Sequence, residues 1–262
     1  MNTISIPRST AGTTAIPDIR RIGVADIRAA LSAGVDDFLA IPTQLVFLCI
    51  LYPVIGLVAA RAASGSELLP LLFPLVAGIS LLGPVLAVGL YELSRRREAG
   101  QPVSWLNAFD VLRSPALLSI GIVGVCLLAI FTAWVEAARL IYAATVAVPP
   151  ASLGALAMAV LDTPAGWRLL LIGNFVGLLF AIVVLTLTVV SVPMMLDRDV
   201  SPMLATRTSI CAVLANPGPL ALWGLIVAVT LFLGCLPLFI GLAAAMPVLG
   251  HATWHLYRRL VV

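Results

Sequence analysis

Long apolar stretches separated by short polar segments dominate the hydrophobicity pattern of this 262-residue chain. Six of them approach or exceed the roughly 20 residues that a helix needs to cross the hydrocarbon of a bilayer. Because a backbone in hydrocarbon must satisfy its own hydrogen bonds, such stretches are expected to be helical. The pattern predicts an all-α, polytopic membrane helical bundle with six transmembrane helices in three hairpins. The predicted spans are about 40–61, 68–93, 115–139, 168–196, 217–236 and 238–257.

Composition supports a membrane location. The chain is 61% hydrophobic and 10% charged, with a mean hydropathy of +1.13, whereas a soluble domain is about 45–50% apolar and about 25% charged. A soluble core of this length could not bury so much apolar surface. The expected partner is the lipid bilayer, with other membrane proteins as a further candidate. The net charge of +3 is too small and scattered to indicate a nucleic-acid partner.

The N-terminal segment differs from the rest of the chain. Residues 1–18 are polar, rich in small residues and contain two prolines, which predicts a disordered tail ahead of a single six-span domain over 19–262. The segment lacks the apolar core of a secretory signal, since no apolar run begins before about Phe38. We therefore expect a multi-pass protein of the bacterial inner membrane, inserted through its first span.

The distribution of arginine predicts the orientation. With six spans and a cytoplasmic N-terminus, twelve arginines lie inside and three outside, as the positive-inside rule requires. The outer three are Arg61, Arg139 and Arg168. If residues 217–257 formed one kinked helix interrupted at Pro237, the ratio would fall to ten against five. Six spans with both termini cytoplasmic is the favoured topology.

The ends of the spans indicate an internal repeat. When Pro84 is aligned with Pro247, a Pro-Val-Leu triplet, Leu93 with Leu256, and a pair of arginines recur at identical offsets. The fourth span ends in SVPMMLDR (191–198), a weaker match. The repeated unit would be a surface helix, a proline, a span, an outer turn, a span and arginine.

Two segments before the spans predict cytoplasmic amphipathic helices that lie in the membrane interface. The first carries one apolar face, and the second carries a shorter apolar stripe. The first face consists of Val24, Ile27, Leu31, Val35 and Phe38, and the second of Trp105, Phe109 and Leu112. Tryptophans favour the headgroup level, so Trp134 and Trp167 are expected near the outer boundary and Trp105, Trp223 and Trp254 near the inner one.

Two histidines are the first candidate site. His251 and His255 are spaced i,i+4 and therefore share a helix face, from which two imidazoles could ligate a metal. The repeat places Glu92 opposite His255, and the acids beside Arg198 could join this set. The alternative is that these residues form an ordinary polar helix end at headgroup level, where histidine suits the helix dipole. We favour that alternative, because no third ligand lies nearby in sequence.

A second candidate is the pair Glu136 and Arg139, spaced i,i+3 near the outer end of the third span. An ionisable pair inside a membrane is a functional hypothesis by default, but a pair at headgroup depth can simply neutralise itself. Asn174 lies between Gly173 and Gly177, a spacing typical of helix packing with one amide for a bond between helices.

No pattern in the chain indicates an enzyme. It contains no recognisable Ser–His–Asp arrangement, phosphate-binding loop, dinucleotide glycine motif or catalytic carboxylate pair. We predict neither catalytic activity nor a cofactor. His251 and His255 lie on one helix face, so the two rings cannot bind opposite sides of one porphyrin.

Four segments resemble an uncharacterised bacterial family of integral membrane proteins, domain of unknown function 2189. They are GPVLAVGLYELSRRREAG (83–100), SVPMMLDRDV (191–200), NPGPLALWG (216–224) and PVLGHATWHLYRRLV (247–261). The resemblance extends from about Ile19 onward. It implies a membrane location and transfers no functional residue, since the family has no established activity.

The expected function is that of a non-enzymatic membrane accessory or organising protein. The alternative is a small-solute transporter or channel that uses Glu92, and a remote alternative is metal or haem handling through His251 and His255.

Overall fold

The structure is a computed structural model that describes residues 15–41, 70–146, 150, 152–237 and 240–262. Within these ranges every helix or strand element is a helix, and an isolated bridge pairs Ile19 with Val261. Nearly all of the predicted first span and residues 1–14 of the predicted tail lie outside the described residues. The all-helical fold class is confirmed for the part of the chain that is described.

Eleven α-helices and two 3-10 helices occur in the described ranges. In chain order they are α1 (Val24–Ala40), α2 (Leu72–Ile79), η1 (Ser80–Leu82), α3 (Gly83–Leu86), α4 (Val88–Glu98), η2 (Trp105–Arg113), α5 (Leu117–Thr145), α6 (Leu153–Leu161), α7 (Pro164–Thr188), α8 (Ser191–Arg198), α9 (Pro202–Ala215), α10 (Pro217–Cys235) and α11 (Leu242–Leu260).

Four helical stretches are long and apolar enough to cross a membrane. They are Phe73–Glu98, Leu117–Thr145, Pro164–Arg198 and Pro217–Cys235, and they coincide with the predicted second to fifth spans. The predicted sixth span coincides with α11, which is not among the four. The alternative of one kinked helix over 217–257 is wrong, because α10 and α11 are separate helices. Their backbones meet at Gly241, where an added Cβ would lie 2.8 Å from the Gly234 Cα atom.

Burial divides the molecule into two parts. Every residue from Thr188 to Leu196 is buried, whereas the preceding stretch of α7 buries only Gly166 and Val184. The helical stretch Pro164–Arg198 has 35 residues and is about 52 Å long, well beyond the roughly 30 Å of hydrocarbon. The closely packed residues lie at the end of this stretch, in the part that exceeds the thickness of the hydrocarbon. The exposed apolar side chains along the rest suit contact with lipid chains.

We call the closely packed part the basal layer. It comprises residues 19–41, 88–98, 188–215 and 249–261, which contain most of the fully buried side chains. Within it α1 packs along α11, and α4 and α8 contact both α11 and each other. The layer therefore joins the ends of helices that are far apart in sequence.

The first helix is positioned by small residues. Its buried residues are Ile27, Ala30, Gly34 and Asp37. Of the predicted apolar face only Ile27 is buried, and Val24 and Val35 are exposed. Ile27 and the partly buried Leu31 pack against the core, but the closest contact runs along Ala30 and Gly34. This small-xxx-small pair lets the α1 backbone approach α11 more closely than a row of bulky side chains would.

Hydrogen bonds of the backbone hold the segment before α1 against the C-terminal residues of the chain. The Arg20 amide donates to the Leu260 carbonyl at 2.8 Å, and the Val262 amide donates to the Asp18 carbonyl at 3.1 Å. The Ile22 amide donates to the Asn216 side-chain oxygen at 2.8 Å. The segment before α1 is thereby held against the end of α11 and the start of α10.

Three of the five tryptophans are buried inside the protein, and their predicted depth near the headgroups stays a prediction. They are Trp134, Trp223 and Trp254. The Trp134 ring packs against Gly177, meets Phe180 edge-on with centroids 5.7 Å apart, and donates from Nε1 to the Pro74 carbonyl at 2.8 Å. A buried indole with a partner for its N–H is stable inside a helix bundle.

The other two tryptophans, Trp105 and Trp167, are exposed. The predicted bond between helices from Asn174 is wrong, because its amide donates to the Leu170 carbonyl of its own helix at 2.7 Å.

Replacing Gly34 with alanine tests the close contact between α1 and α11. The added Cβ would lie 2.6 Å from the Ala252 Cβ, so the helices must separate, at a cost of about 1–3 kcal/mol. We expect Gly34→Ala to lower the thermal unfolding temperature in detergent. Gly121→Ala is the control, since no atom lies within 4 Å of an added Cβ there. Equal melting of the two variants would show that α1 does not pack this closely.

Candidate functional site

A buried polar cluster lies where α1, α4 and α11 meet. Asp37 comes from the last turn of α1, Ser94 and Arg97 from one face of α4, and His251 and His255 from one face of α11. The close packing of α1 on α11 brings the carboxylate between the two histidines and α4. We call these five residues the Asp37 cluster.

The carboxylate of Asp37 is the centre of the cluster. Its side chain is 5% exposed. Its Oδ2 atom accepts from Ser94 Oγ at 2.5 Å and lies 2.8 Å from His255 Nε2. Its Oδ1 atom accepts from an Arg97 guanidinium nitrogen at 2.5 Å. Both oxygens are therefore bonded to donors from two other helices, which is the condition under which a buried charge is tolerated.

The hydrogen bonds determine where the proton of His251 lies. The hydroxyl of Ser94 donates to Asp37, so Ser94 Oγ accepts from His251 Nδ1 at 2.8 Å. A neutral imidazole has a single N–H, which leaves Nε2 of His251 without a proton. That nitrogen is buried and has no hydrogen-bond partner; the nearby Leu90 carbonyl is another acceptor. Among the residues that the structure describes, the buried His251 ring is therefore hydrogen-bonded through Nδ1, and its Nε2 atom has no partner.

The environment of Asp37 favours its ionised form. Burial alone would raise the pKa of this carboxyl, but hydrogen bonds from His255 and Ser94, the charge of His255 and the hydrogen bond from Arg97 outweigh it. The pKa of Asp37 consequently lies below its ordinary value, and the cluster holds a carboxylate at neutral pH.

The predicted set of His251, His255 and Glu92 does not form. The Glu92 carboxylate accepts from Arg95 at 2.8 and 2.9 Å and from Arg96 at 2.8 Å, all within α4. Asp37 occupies the position expected for Glu92. No pattern in the sequence indicates that Asp37, and not Glu92, faces the histidines. Asp36 and Asp37 are adjacent, and only the packing face of α1 distinguishes them.

A second network lies beside the cluster, around the ends of α4, α8 and α11. The Tyr257 hydroxyl donates to Asp197 at 2.7 Å and lies 3.2 Å from Arg198 Nε. Arg258 contacts Glu98 at 3.0 Å and Asp197 at 3.2 Å. An open cleft of about 340 Å³ is lined by Arg95, Glu98, Ala99, Asp197, Trp254 and Arg258. Of the two acids beside Arg198, Asp197 therefore binds tyrosine and arginine and does not join the histidines.

Glu136 and Arg139 form the ion pair that their spacing predicts. Arg139 donates to both carboxylate oxygens, at 2.9 and 2.6 Å, and each side chain is more than half exposed. The pair is far from the basal layer, near the other end of α5. It satisfies its own charges on the surface of that helix.

The i,i+4 spacing of His251 and His255 would suit a metal ion. Across the described ranges, no three His, Cys, Asp or Glu side chains are grouped so that they could hold a metal ion. The nitrogens of His251 and His255 that face Asp37 are both hydrogen-bonded. The arrangement is suited to fixing the relative positions of three helices.

Replacing Asp37 with asparagine tests how much this carboxylate contributes to stability. The substitution weakens the hydrogen bonds of a side chain that is 5% exposed and removes the charge that pairs with Arg97, which is itself 39% exposed, at a cost of about 1–3 kcal/mol. Asp36→Asn is the matched control, because the neighbouring carboxylate is exposed and such changes usually stay within about 0.5 kcal/mol. Unfolding temperatures in detergent would separate the two variants, and equal values would contradict a structural role for Asp37.

The low pKa of Asp37 also makes a prediction about acid. A carboxyl with a lowered pKa in the folded state contributes stability above its ordinary pKa of 3.8, and this contribution is lost as the pH falls through the lower folded value. The difference in unfolding temperature between wild type and Asp37→Asn should shrink as the pH falls below about pH 4. A difference that stays undiminished in that range would contradict the assigned charge.

Comparison with known proteins finds a similarity to a family of membrane proteins. The sequence model of the family described as "Predicted integral membrane protein (DUF2189)" matches residues 72–197. No curated protein and no solved structure matches the chain. The matched range runs from α2 into α8. It includes the segment at 83–100 and most of the segment at 191–200, while GHATWHLYR (250–258) lies beyond it. The resemblance is confirmed over residues 72–197, and the chain is an integral membrane protein that matches the DUF2189 family, whose function is unknown.

Proposed function

We propose that this protein is a non-enzymatic accessory protein of the bacterial inner membrane, with six spans and both termini in the cytoplasm. In this topology α11 is the sixth span, and the basal layer, which contains the second half of α11, extends from the cytoplasmic side into the inner leaflet. The twelve-to-three distribution of arginine supports the orientation. The protein would present a rigid helical surface at the inner leaflet to neighbouring membrane proteins.

The observation that carries the proposal is the mutual pairing of charges in the basal layer. Asp37, Glu92, Glu98 and Asp197 each bind arginine, histidine, tyrosine or tryptophan side chains. Apart from Glu92, whose partners lie on its own helix, these contacts link different helices. A transporter needs polar groups that are free to coordinate its solute, whereas these groups are engaged in holding the layer together. The same engagement argues against Glu92 as a solute-binding residue.

The geometry around Ser94 supports the absence of catalysis. In a hydrolytic triad the serine donates its proton to histidine, which is oriented by the aspartate. Here the Ser94 hydroxyl donates its proton to Asp37 and accepts from His251, so the histidine cannot take the serine proton as it does in a triad. Ser94 and His251 are also both 0% exposed, so a substrate could not reach them.

The outward face of α1 is the surface that the proposal assigns to a protein partner. Val24, Val35 and Leu39 are exposed on this helix, and Arg28 lies among them. The Asp37 cluster and the contact of Gly34 with Ala252 fix the opposite face. The exposed residues therefore form a pre-ordered surface, which lowers the entropic cost of binding.

Photo-crosslinking in native membranes tests this function. A photoreactive residue at Leu39 is expected to give one discrete adduct with another membrane protein, and Val35→Asp is expected to abolish it. The control position is Phe175, an exposed residue of the α7 span, where only lipid adducts are expected. Liposomes containing the purified protein should show no solute flux above empty vesicles.

Two outcomes would contradict the proposal. Lipid adducts alone at Leu39 would remove the evidence for a protein partner. Solute flux that Glu92→Gln abolishes would instead show that the protein is a transporter.

A further inference from the structure

The short helix η2 exposes an apolar ridge. It consists of Trp105, Leu106, Phe109 and Leu112, whose residues are 41%, 57%, 53% and 64% exposed. Trp105 and Phe109 are in edge-on contact, with ring centroids 6.4 Å apart. We call these four residues the η2 ridge. In water such a ridge would be unfavourable, so its exposure points to an apolar or interfacial environment.

The ridge is held rigidly from behind. Val111 is buried, and Ala108 lies so close to Gly89 that an added Cβ there would be 3.0 Å from the Ala108 Cβ. Asp110 pairs with Arg96 of α4 at 2.9 Å. The Ser104 side chain caps the start of the helix by accepting from the Leu106 amide. The exposed apolar side chains are thus fixed in place by α4.

The charge next to the ridge is positive and uncompensated. Arg113 ends η2, is exposed, and forms no ion pair with any residue that the structure describes. The nearby acid, Asp110, is already neutralised by Arg96. A free guanidinium is therefore available, and it can bind a phosphate oxygen pair with two parallel hydrogen bonds.

The depth of the ridge identifies the partner. The α5 span begins at Leu117, about one helical turn after Arg113, and Leu118 is already 77% exposed as expected for contact with lipid chains. Arg113 and the ridge consequently lie at the level of the lipid headgroups. An exposed tryptophan suits that level, and apolar side chains on an interfacial helix insert just below the phosphates.

We propose that the η2 ridge and Arg113 form a binding site for an anionic phospholipid of the adjacent leaflet. The ridge inserts between the acyl chains at the headgroup boundary, and Arg113 binds the lipid phosphate. This inference rests on the proposed function in one respect, the placement of the basal layer at the membrane surface. It adds the chemical class of a ligand and the residues that bind it.

Retention of lipid by the full-length protein tests the site. The protein is reconstituted in nanodiscs containing equal amounts of phosphatidylglycerol and phosphatidylcholine, re-extracted in mild detergent, and its bound lipid is quantified by mass spectrometry. We expect wild type to retain phosphatidylglycerol several-fold over phosphatidylcholine. Arg113→Gln should reduce this preference at least threefold, and Trp105→Ala should reduce the total lipid retained.

The matched control is Arg21→Gln. It removes the same charge from an exposed arginine of the basal layer that forms no ion pair with a described residue, and the lipid preference should be unchanged. Unfolding temperatures close to wild type would show that each variant is folded. Equal lipid preference in wild type, Arg113→Gln and Arg21→Gln would overturn the inference.

The two proposals can fail separately. If the lipid preference is absent while the Leu39 adduct persists, the lipid site is wrong and the accessory function stands. If the Leu39 adduct is absent while Arg113→Gln abolishes the lipid preference, the protein-binding function is wrong and the lipid site stands.

Discussion

The carboxylate of Asp37 is the interaction on which the rest of the structure depends. Removing a charge from water is costly, and only well-placed partners compensate for it. Ser94, Arg97 and His255 provide those partners from two other helices. Because all three contacts require one relative placement of α1, α4 and α11, the buried charge sets the register of these helices. The small residues Ala30 and Gly34 allow the approach, and the carboxylate fixes it.

The length of the helices relative to the bilayer explains why the molecule has two kinds of surface. The end of the Pro164–Arg198 stretch exceeds the length that the hydrocarbon can cover. In the basal layer, which contains this end, side chains pack on each other and pair their charges. Along the spans, lipid chains take the place of packing partners, and residues such as Phe175 are exposed. Positions that the internal repeat aligns are buried in both α4 and α11, namely Tyr91 with Trp254, Leu93 with Leu256 and Ser94 with Tyr257. The repeat itself stays a prediction.

Hydrophobic length and periodicity were sufficient to predict the helical class and four of the spans, because crossing a bilayer imposes a strong and simple pattern. The pairing of Glu136 with Arg139 was equally predictable, since it is local. The Asp37 cluster could not be predicted from local patterns in the sequence. Its members are up to 218 positions apart, and the repeat suggested Glu92 as the acid. The closest contact of α1 was also missed, because apolar periodicity marks bulky residues while the contact with Ala252 uses Gly34 and Ala30.

A double-mutant cycle on Asp37 and His255 tests the central claim most directly. The free energies of unfolding of wild type, Asp37→Asn, His255→Gln and the double variant would be measured in mixed micelles. If the two side chains are bonded in a buried cluster, the double variant should be less destabilised than the sum of the single variants, with a coupling of about 1 kcal/mol or more. Additive effects within about 0.3 kcal/mol would show that α1 and α11 are not joined through Asp37.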